Sequence, residues 1–184
     1  MPMIPRIRLY TNVFVVFEGK ILLGMKKRGV GEGLYNGFGG KVEPGETPLE
    51  AAHRELKEEC GIDLPLIHAG RLLFLSAAMP SWAFHIELYR SAPGLSTYTG
   101  ELAESDEMRP EWFPLSSIPY SQMWSGDKLW LPLVITGEHR FLAREDYDRE
   151  TDDASKEDSQ GQVELKRWWI ALEQDPSRTE EKRK

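Results

Sequence analysis

Glu55, Glu58 and Glu59 stand at i, i+3 and i+4 directly behind a glycine-rich turn. At about 100° per residue that spacing puts three carboxylates on one helical face. Alone they would repel one another; a hard cation such as Mg²⁺, which takes oxygen ligands, makes the crowding favourable. Glutamates three and four apart on a helix are ordinarily a solvated face. The fixed pattern around them changes that reading: Gly40, Glu46, Arg54, Glu55, Leu56, Glu58, Glu59, Gly61 and Ile62 spell G-x5-E-x7-R-E-L-x-E-E-x-G-I.

The segment carries its own helix signals. Thr47 with Glu50 is a capping box, Pro48 suits the first helical position and Gly61 is a stop, which predicts a helix over 48–60. Leu49, Ala52, Leu56 and Cys60 form the expected buried stripe, and Ala51, near the carboxylates, leaves room for a ligand. Upstream, 9–17 and 20–25 read as strands joined by a Glu18-Gly19 turn. Lys26-Lys27-Arg28 then opens a loop with glycines at 29, 31, 33, 37, 39 and 40. Glycines this dense imply tight turns or close approach of backbone to something bulky, and the position suggests a nucleotide. Downstream, strands are expected at 70–76, 83–90 and 107–113. A tryptophan-rich second helix is expected within 120–136, with Pro132 in its first turn or bending it. Segments 141–147 and 163–172 are expected to pair as a hairpin. This order predicts an α+β fold, a mixed sheet between helices. One domain over 1–175 is expected, with a mobile acidic loop at 149–161 and a polar tail at 176–184. Deleting everything after Asp175 should leave activity within about two-fold, because the tail carries no motif; steady-state kinetics on the truncated protein checks this.

Composition narrows the function classes. The 184 residues carry a net charge of −7, and the stretch from Arg144 to Gln160, with eight acidic residues against three basic, holds −5 of it. The remainder is nearly balanced, which disfavours a nucleic-acid polymer as partner. The single cysteine, Cys60, excludes an internal disulfide, fits a reducing compartment and reads as core. One Cys and four His cannot build a Cys/His metal centre. No targeting signal is apparent, and the apolar run at 13–17 is too short to span a bilayer. The expectation is a cytoplasmic monomer, with a nuclear or mitochondrial share open, acting on a small nucleotide away from membranes.

The nine-position pattern resembles the signature of the Nudix hydrolases without a departure. The family hydrolyses nucleoside diphosphates linked to another moiety. LYTNVFVVF, LLGMKKRGVGEGLYNGFGGKV, ESDEMRPEWF and the SQMW…D…W segment further resemble the oxidised purine nucleoside triphosphatases, the MutT-type 8-oxo-dGTPases. That resemblance, over roughly residues 8–136, implies Mg²⁺-dependent hydrolysis of damaged purine triphosphates to monophosphate and pyrophosphate, with Mn²⁺ as a substitute. It implies the Nudix α/β/α sandwich. It implies Glu55, Glu58, Glu59, Glu107 and the Gly40 carbonyl as metal ligands, Glu107 also positioning or deprotonating the water. Arg54 is expected to orient one glutamate through a bidentate pair. Lys26 is expected to face the phosphates, with Lys27 and Arg28 solvated. Base recognition falls to Asn36, Trp124 and Asp127, with Thr11 and Phe74 lining the pocket; Asn36 offers donor and acceptor on one fork. Trp112 and Trp130 are read as core. Other nucleotides, such as ADP-ribose or an alkylated purine triphosphate, and a non-catalytic nucleotide-binding role are the alternatives.

Departures from the subgroup cluster near the base site. Val30 replaces a phenylalanine, Trp82 a methionine and Ser125 a proline, while Gly126 stands where a second aspartate usually precedes Asp127. With that neighbour gone, the Asp127 pKa is expected to be less raised. Narrower base acceptance should follow, favouring 8-oxo-dGTP over 2-hydroxy-dATP, and Gly126→Asp should broaden it.

Overall fold

The structure is a computed structural model that describes residues 5–77, 79–94, 101–149 and 163–173. Strand β1 (Arg6–Phe17) turns at Glu18 and Gly19 into β2 (Lys20–Lys26). Both turn residues have positive φ, 47° and 72°, the left-handed pair whose twist matches the flanking strands. Then follow β3 (Tyr35–Asn36), α1 (Pro48–Cys60), β4 (Leu66–Ser76), β5 (Trp82–Ser91) and β6 (Met108–Pro114). Helix α2 (Asp127–Thr136) and the strands β7 (Phe141–Arg149) and β8 (Val163–Leu172) complete the described chain.

The strands form one mixed sheet in the order β3-β2-β1-β5-β4-β7-β8, with β6 pairing β2. β1 runs parallel to β5 and β4 parallel to β7, while the other pairs are antiparallel. Period-two alternation along β1 separates two cores. Val13 and Val15 pack under α1 with Leu22, Ala52 and Leu56. Phe14, on the other face, packs under α2 with Trp130, Leu131 and Phe141. The sheet therefore lies between two helices, the expected α+β arrangement. Among the described residues no helix is long and apolar enough to cross a membrane.

Helix α1 has the predicted ends. Thr47 Oγ1 accepts from the Glu50 amide at 3.3 Å, Glu50 Oε2 accepts from the Thr47 amide at 2.7 Å, and Gly61 closes the helix at φ 78°. Cys60 is buried and its thiol donates to the Leu56 carbonyl, as a core residue should. Two details of the stripe differ. Leu49 is 41% exposed: periodicity gives its angle correctly, but the first helical turn projects beyond the layer it would pack on. Ala51 is fully buried, so the space beside the carboxylates is filled by protein.

Strands β1 and β4 begin three and four residues earlier than expected. Their first residues pair by backbone rather than by apolar pattern, as in Arg6 opposite Trp82 and Leu66 opposite Ser91. Trp82 stands at that edge under the Arg8 guanidinium, 3.4 Å from the ring centroid. The stretch before α2 forms two 3-10 turns, Leu115–Ser117 and Tyr120–Gln122, and the helix starts only at Asp127. Pro132 thus falls in the second turn, on an exposed position, where its missing N–H removes one helical bond. The final hairpin pairs as expected, with β7 running to Arg149. Most of the expected acidic loop and the tail lie outside the described residues.

Candidate active site

Residues 38–41 run as a strap beside β1, and this positions the carboxylate helix against the sheet. Val13 and Phe38 exchange backbone hydrogen bonds at 2.6 and 2.9 Å, and the Thr11 amide donates to the Gly40 carbonyl at 2.8 Å. The approach leaves no room for side chains. A Cβ on Gly39 would run into the Thr11 carbonyl, and one on Gly40 would run into the Glu55 carboxylate.

The helix carboxylates occupy different environments. The Glu59 side chain, 4% exposed, accepts from the Gly39 amide at 2.8 Å. Burial, with the charges of Glu55 and Glu107, pushes its pKa up to about 7, against the pull of that amide and Lys26. Glu55 is also raised, chiefly by burial, although Arg54 Nη1 donates to it at 2.7 Å. Glu58 is 61% exposed and lies 3.3 Å from Arg54. Arg54 does make a bidentate pair, and its partner is Glu46, at 2.7 and 3.1 Å; the same guanidinium reaches Glu55, Glu58 and the Lys41 carbonyl. Glu107 reaches the group from the turn before β6. Arg28 pairs with it at 2.5 Å and Lys26 lies 3.7 Å away, which holds its carboxyl below the usual range. Arg28 is 61% exposed, as expected of a surface cation, but it is paired to Glu107, and Lys27 pairs on the other side with Glu104 at 2.8 Å. Strand-like alternation over 26–28 would have separated Lys26 and Arg28 from Lys27.

One cavity of about 490 Å³ joins Lys26, Arg28 and Glu107 to Thr11, Asn36, Phe74, Trp124 and Asp127. Every residue expected to recognise a base lines it. Trp124 stands edge-on to Phe74 and Tyr147, with Gly31 of the glycine loop against its indole. The Asn36 oxygen already accepts from the Gly37 amide at 2.8 Å and from Asn12 Nδ2 at 2.9 Å. Because a backbone N–H fixes which end is oxygen, Asn36 turns only its NH₂ donor outward, not the donor–acceptor fork expected. Thr11 Oγ1, Asn12 Oδ1 and Asp127 Oδ2 are buried without a protein partner. Each such orphan costs on the order of 1–3 kcal/mol, which a polar ligand edge would recover. Trp130 lines the same cavity while lying in the core, and Trp112 packs at the edge of the α1-side core.

Sequence reasoning gave no role to Glu145, which it counted only in the acidic balance of Arg144 to Gln160. The side chain is 2% exposed and also lines the cavity. Parity along β7 carries the signal, since Phe141, Ala143, Glu145 and Tyr147 all point inward. Asp127, 3% exposed, is raised well above the ordinary aspartate range by burial and then by the Glu145 charge. The expectation that Asp127 lacks a like-charged neighbour is thus overturned. A Cβ at Gly126 would collide with the Glu145 carboxyl and lie 2.7 Å from the Tyr147 hydroxyl, so Gly126→Asp requires both side chains to move. Gly126→Asp should instead destabilise the protein by about 2–3 kcal/mol through overpacking and a third buried acid. Combining it with Glu145→Ala should recover part of the loss, and thermal unfolding of the single and double variants measures both.

Comparison with known proteins places this geometry. The NUDIX domain model matches residues 7–134. The chain belongs to the Nudix family. It is 47% identical over 135 residues to the oxidized purine nucleoside triphosphate hydrolase of Danio rerio, covering 73% of this chain and 83% of that one. To the Mus musculus protein of the same name it is 43% identical, covering 70% and 80%. Its fold matches the mutator MutT protein of Bacillus halodurans with a TM-score of 0.71, at 23% identity over 89% of this chain and 97% of that one. Nudix hydrolases generally need a divalent metal. Among the described residues no three acidic, His or Cys side chains converge closely enough, as they stand, to hold a metal ion; Glu58 is turned to Arg54 and Glu107 to Arg28. The donor set nevertheless fits a hard cation. Its ligands are oxygens; Glu58 and Glu107 raise the cost of ionising Glu55, and Glu55 and Glu107 that of ionising Glu59, where a positive ion would lower it.

Proposed function

We propose that the protein hydrolyses oxidised purine nucleoside triphosphates, such as 8-oxo-dGTP, to the monophosphate and pyrophosphate in the presence of Mg²⁺. The observation that carries this reading is the single cavity running from Lys26 and Glu107 to the buried polar end at Asp127. A nucleotide laid along it puts its phosphates beside the carboxylate helix and its base against Trp124. The names of the Danio rerio and Mus musculus relatives support the same substrate class.

Glu55, Glu58, Glu59, Glu107 and the Gly40 carbonyl are the groups that would hold Mg²⁺, with Mn²⁺ as a substitute. The bound ion offsets charge on the phosphate oxygens and favours deprotonation of water. The chain's own groups do the rest. Lys26 meets phosphate oxygens, and Glu107 orients the attacking water and takes its proton. Arg54 holds Glu46, Glu55 and Glu58 in register. Water adds to phosphorus as the bond to the pyrophosphate oxygen breaks, so one water is consumed per monophosphate and pyrophosphate released. Trp124 stacks on the base, worth on the order of 1–3 kcal/mol, while Asn36 donates to its edge and Asp127 binds the remaining polar positions. Thr11 and Phe74 close the walls. The protein works as a cytoplasmic monomer on free nucleotides.

A substrate panel with Mg²⁺ tests the reading: 8-oxo-dGTP, 2-hydroxy-dATP, dGTP and ADP-ribose. At least one oxidised purine triphosphate should exceed dGTP and ADP-ribose in kcat/KM by ten-fold or more. Preference for ADP-ribose, or no turnover of any nucleotide, overturns it.

A further inference from the structure

We infer that Arg28 is a phosphate-contact residue that exchanges Glu107 for the terminal phosphates of the substrate, and so sets a preference for triphosphates over diphosphates of the same base. The inference rests on the function proposed above and adds a residue that reads the end of the nucleotide farthest from the base.

The backbone brings the pair together. β2 pairs β6 antiparallel as far as Lys26 opposite Met108, and one step beyond, the Lys27 amide donates to the Glu107 carbonyl at 2.8 Å. The glycine loop is closed at its stem. There the Gly33 amide donates to the Lys26 carbonyl at 2.8 Å, and the Lys26 amide to the Leu34 carbonyl at 2.9 Å. Gly29, at φ 76° with open space where a Cβ would lie, turns the chain directly after Arg28. Arg28 therefore stands at the foot of the loop, beside Glu107.

Arg28 Nη2 donates to Glu107 Oε1 at 2.5 Å, and Lys26 Nζ lies 3.7 Å from Oε2. Two cations thus share the carboxylate assigned above to the metal and the attacking water. An ion pair whose side chains are 61% and 44% exposed is held weakly, so a stronger anion can take the guanidinium. Phosphate oxygens are such an anion, because they match the planar fork in pairs. Arg28 and Lys26 both line the cavity, and Lys26, at 24%, is much the less exposed. Lys26 is then the inner phosphate contact and Arg28 the outer one. With the base at Trp124 and Asp127, the outer contact falls on the terminal phosphates, which leave as pyrophosphate. Arg28 there offsets the charge that builds on the departing group as its bond to phosphorus breaks. A diphosphate, one phosphoryl group shorter, loses that contact.

Two measurements test this on wild type, Arg28→Ala, Arg28→Lys and, as a control, Lys27→Ala. Lys27 carries the same charge next door, pairs with Glu104 and does not line the cavity. The first uses Mn²⁺ alone as probe, with bound metal read by electron paramagnetic resonance and no nucleotide added. Arg28→Ala, which frees Glu107 from a competing cation, should bind Mn²⁺ about three-fold or more tighter than wild type, and Lys27→Ala should stay within about two-fold. The second compares kcat/KM on the best of the oxidised purine triphosphates and on its diphosphate, with Mg²⁺. Wild type should favour the triphosphate by about ten-fold or more, and Arg28→Ala should shrink that ratio by about ten-fold. Arg28→Lys should shrink it less, since a point charge keeps the attraction without the fork, and Lys27→Ala should leave it unchanged. An unchanged ratio or unchanged Mn²⁺ affinity in Arg28→Ala, or the same effects in Lys27→Ala, overturns the inference and leaves the proposed hydrolysis standing. So does a wild type that prefers the diphosphate. A wild type that turns over no oxidised purine nucleotide overturns both.

Discussion

Glu59→Gln should lower kcat at saturating Mg²⁺ by on the order of 10³-fold while leaving the metal-free protein more stable than wild type at pH 8. The loss follows from removing an anionic ligand where phosphate charge must be offset. The gain follows from burial. Glu59 has its pKa raised to about 7, so the fold holds its proton more tightly than the unfolded chain does. Stability is then full below the ordinary glutamate pKa and is lost as pH rises through about 7. Gln removes that loss and keeps an oxygen for the Gly39 amide. In chelator at pH 8 the variant should gain on the order of 1–3 kcal/mol, and near pH 4.5 the difference should vanish. Glu58→Gln should show the same collapse of turnover without the gain, because Glu58 is exposed and paired with Arg54. Turnover kinetics and unfolding curves at the two pH values read both effects, and near-normal kcat in either variant would remove that residue from the metal site.

Asp127→Asn should reduce kcat/KM on every purine triphosphate by about 10²-fold. The carboxyl is fully enclosed, its outer oxygen has no protein partner, and its pKa is driven up by burial and by Glu145. An amide in its place fixes the donor and acceptor pattern, and a mismatched buried edge costs on the order of several kcal/mol. The fold should not suffer, since a neutral group replaces one that resists ionisation in place. Kinetics on the two oxidised purines, with a melting temperature as control, make the comparison. Unchanged kcat/KM on both would take Asp127 out of base recognition.

The carboxylate helix was legible to the residue because its signals are local: capping box, proline, glycine stop and the i, i+3, i+4 spacing all act within one segment. The glycine strap was half legible. Dense glycine announced a close approach, but the partner proved to be β1 and the Glu55 carboxylate as well as the cavity. Glu145 was hidden by composition, since eight acids in seventeen residues look like a solvated stretch until strand parity turns alternate ones inward. Arg28 was hidden the same way among three consecutive cations. The Asn36 donor could not have been read at all, because it depends on Asn12 and the Gly37 amide meeting its oxygen in three dimensions.

Parallel pairing has a consequence for how the protein acquires its site. β1 joins β5 across 76 positions, Arg6 to Trp82, and β4 joins β7 across 71, Gly70 to Phe141. Contacts this distant in sequence must close long loops before they return any stabilisation, which places such topologies among the slower folders. During synthesis the helix bearing Glu55 and Glu59 can form as soon as it emerges, whereas Glu145 follows ninety residues behind Glu55. A nascent chain stalled before β7 would thus carry the acidic helix and Asp127 without Glu145, the β7 acid that lines the same cavity.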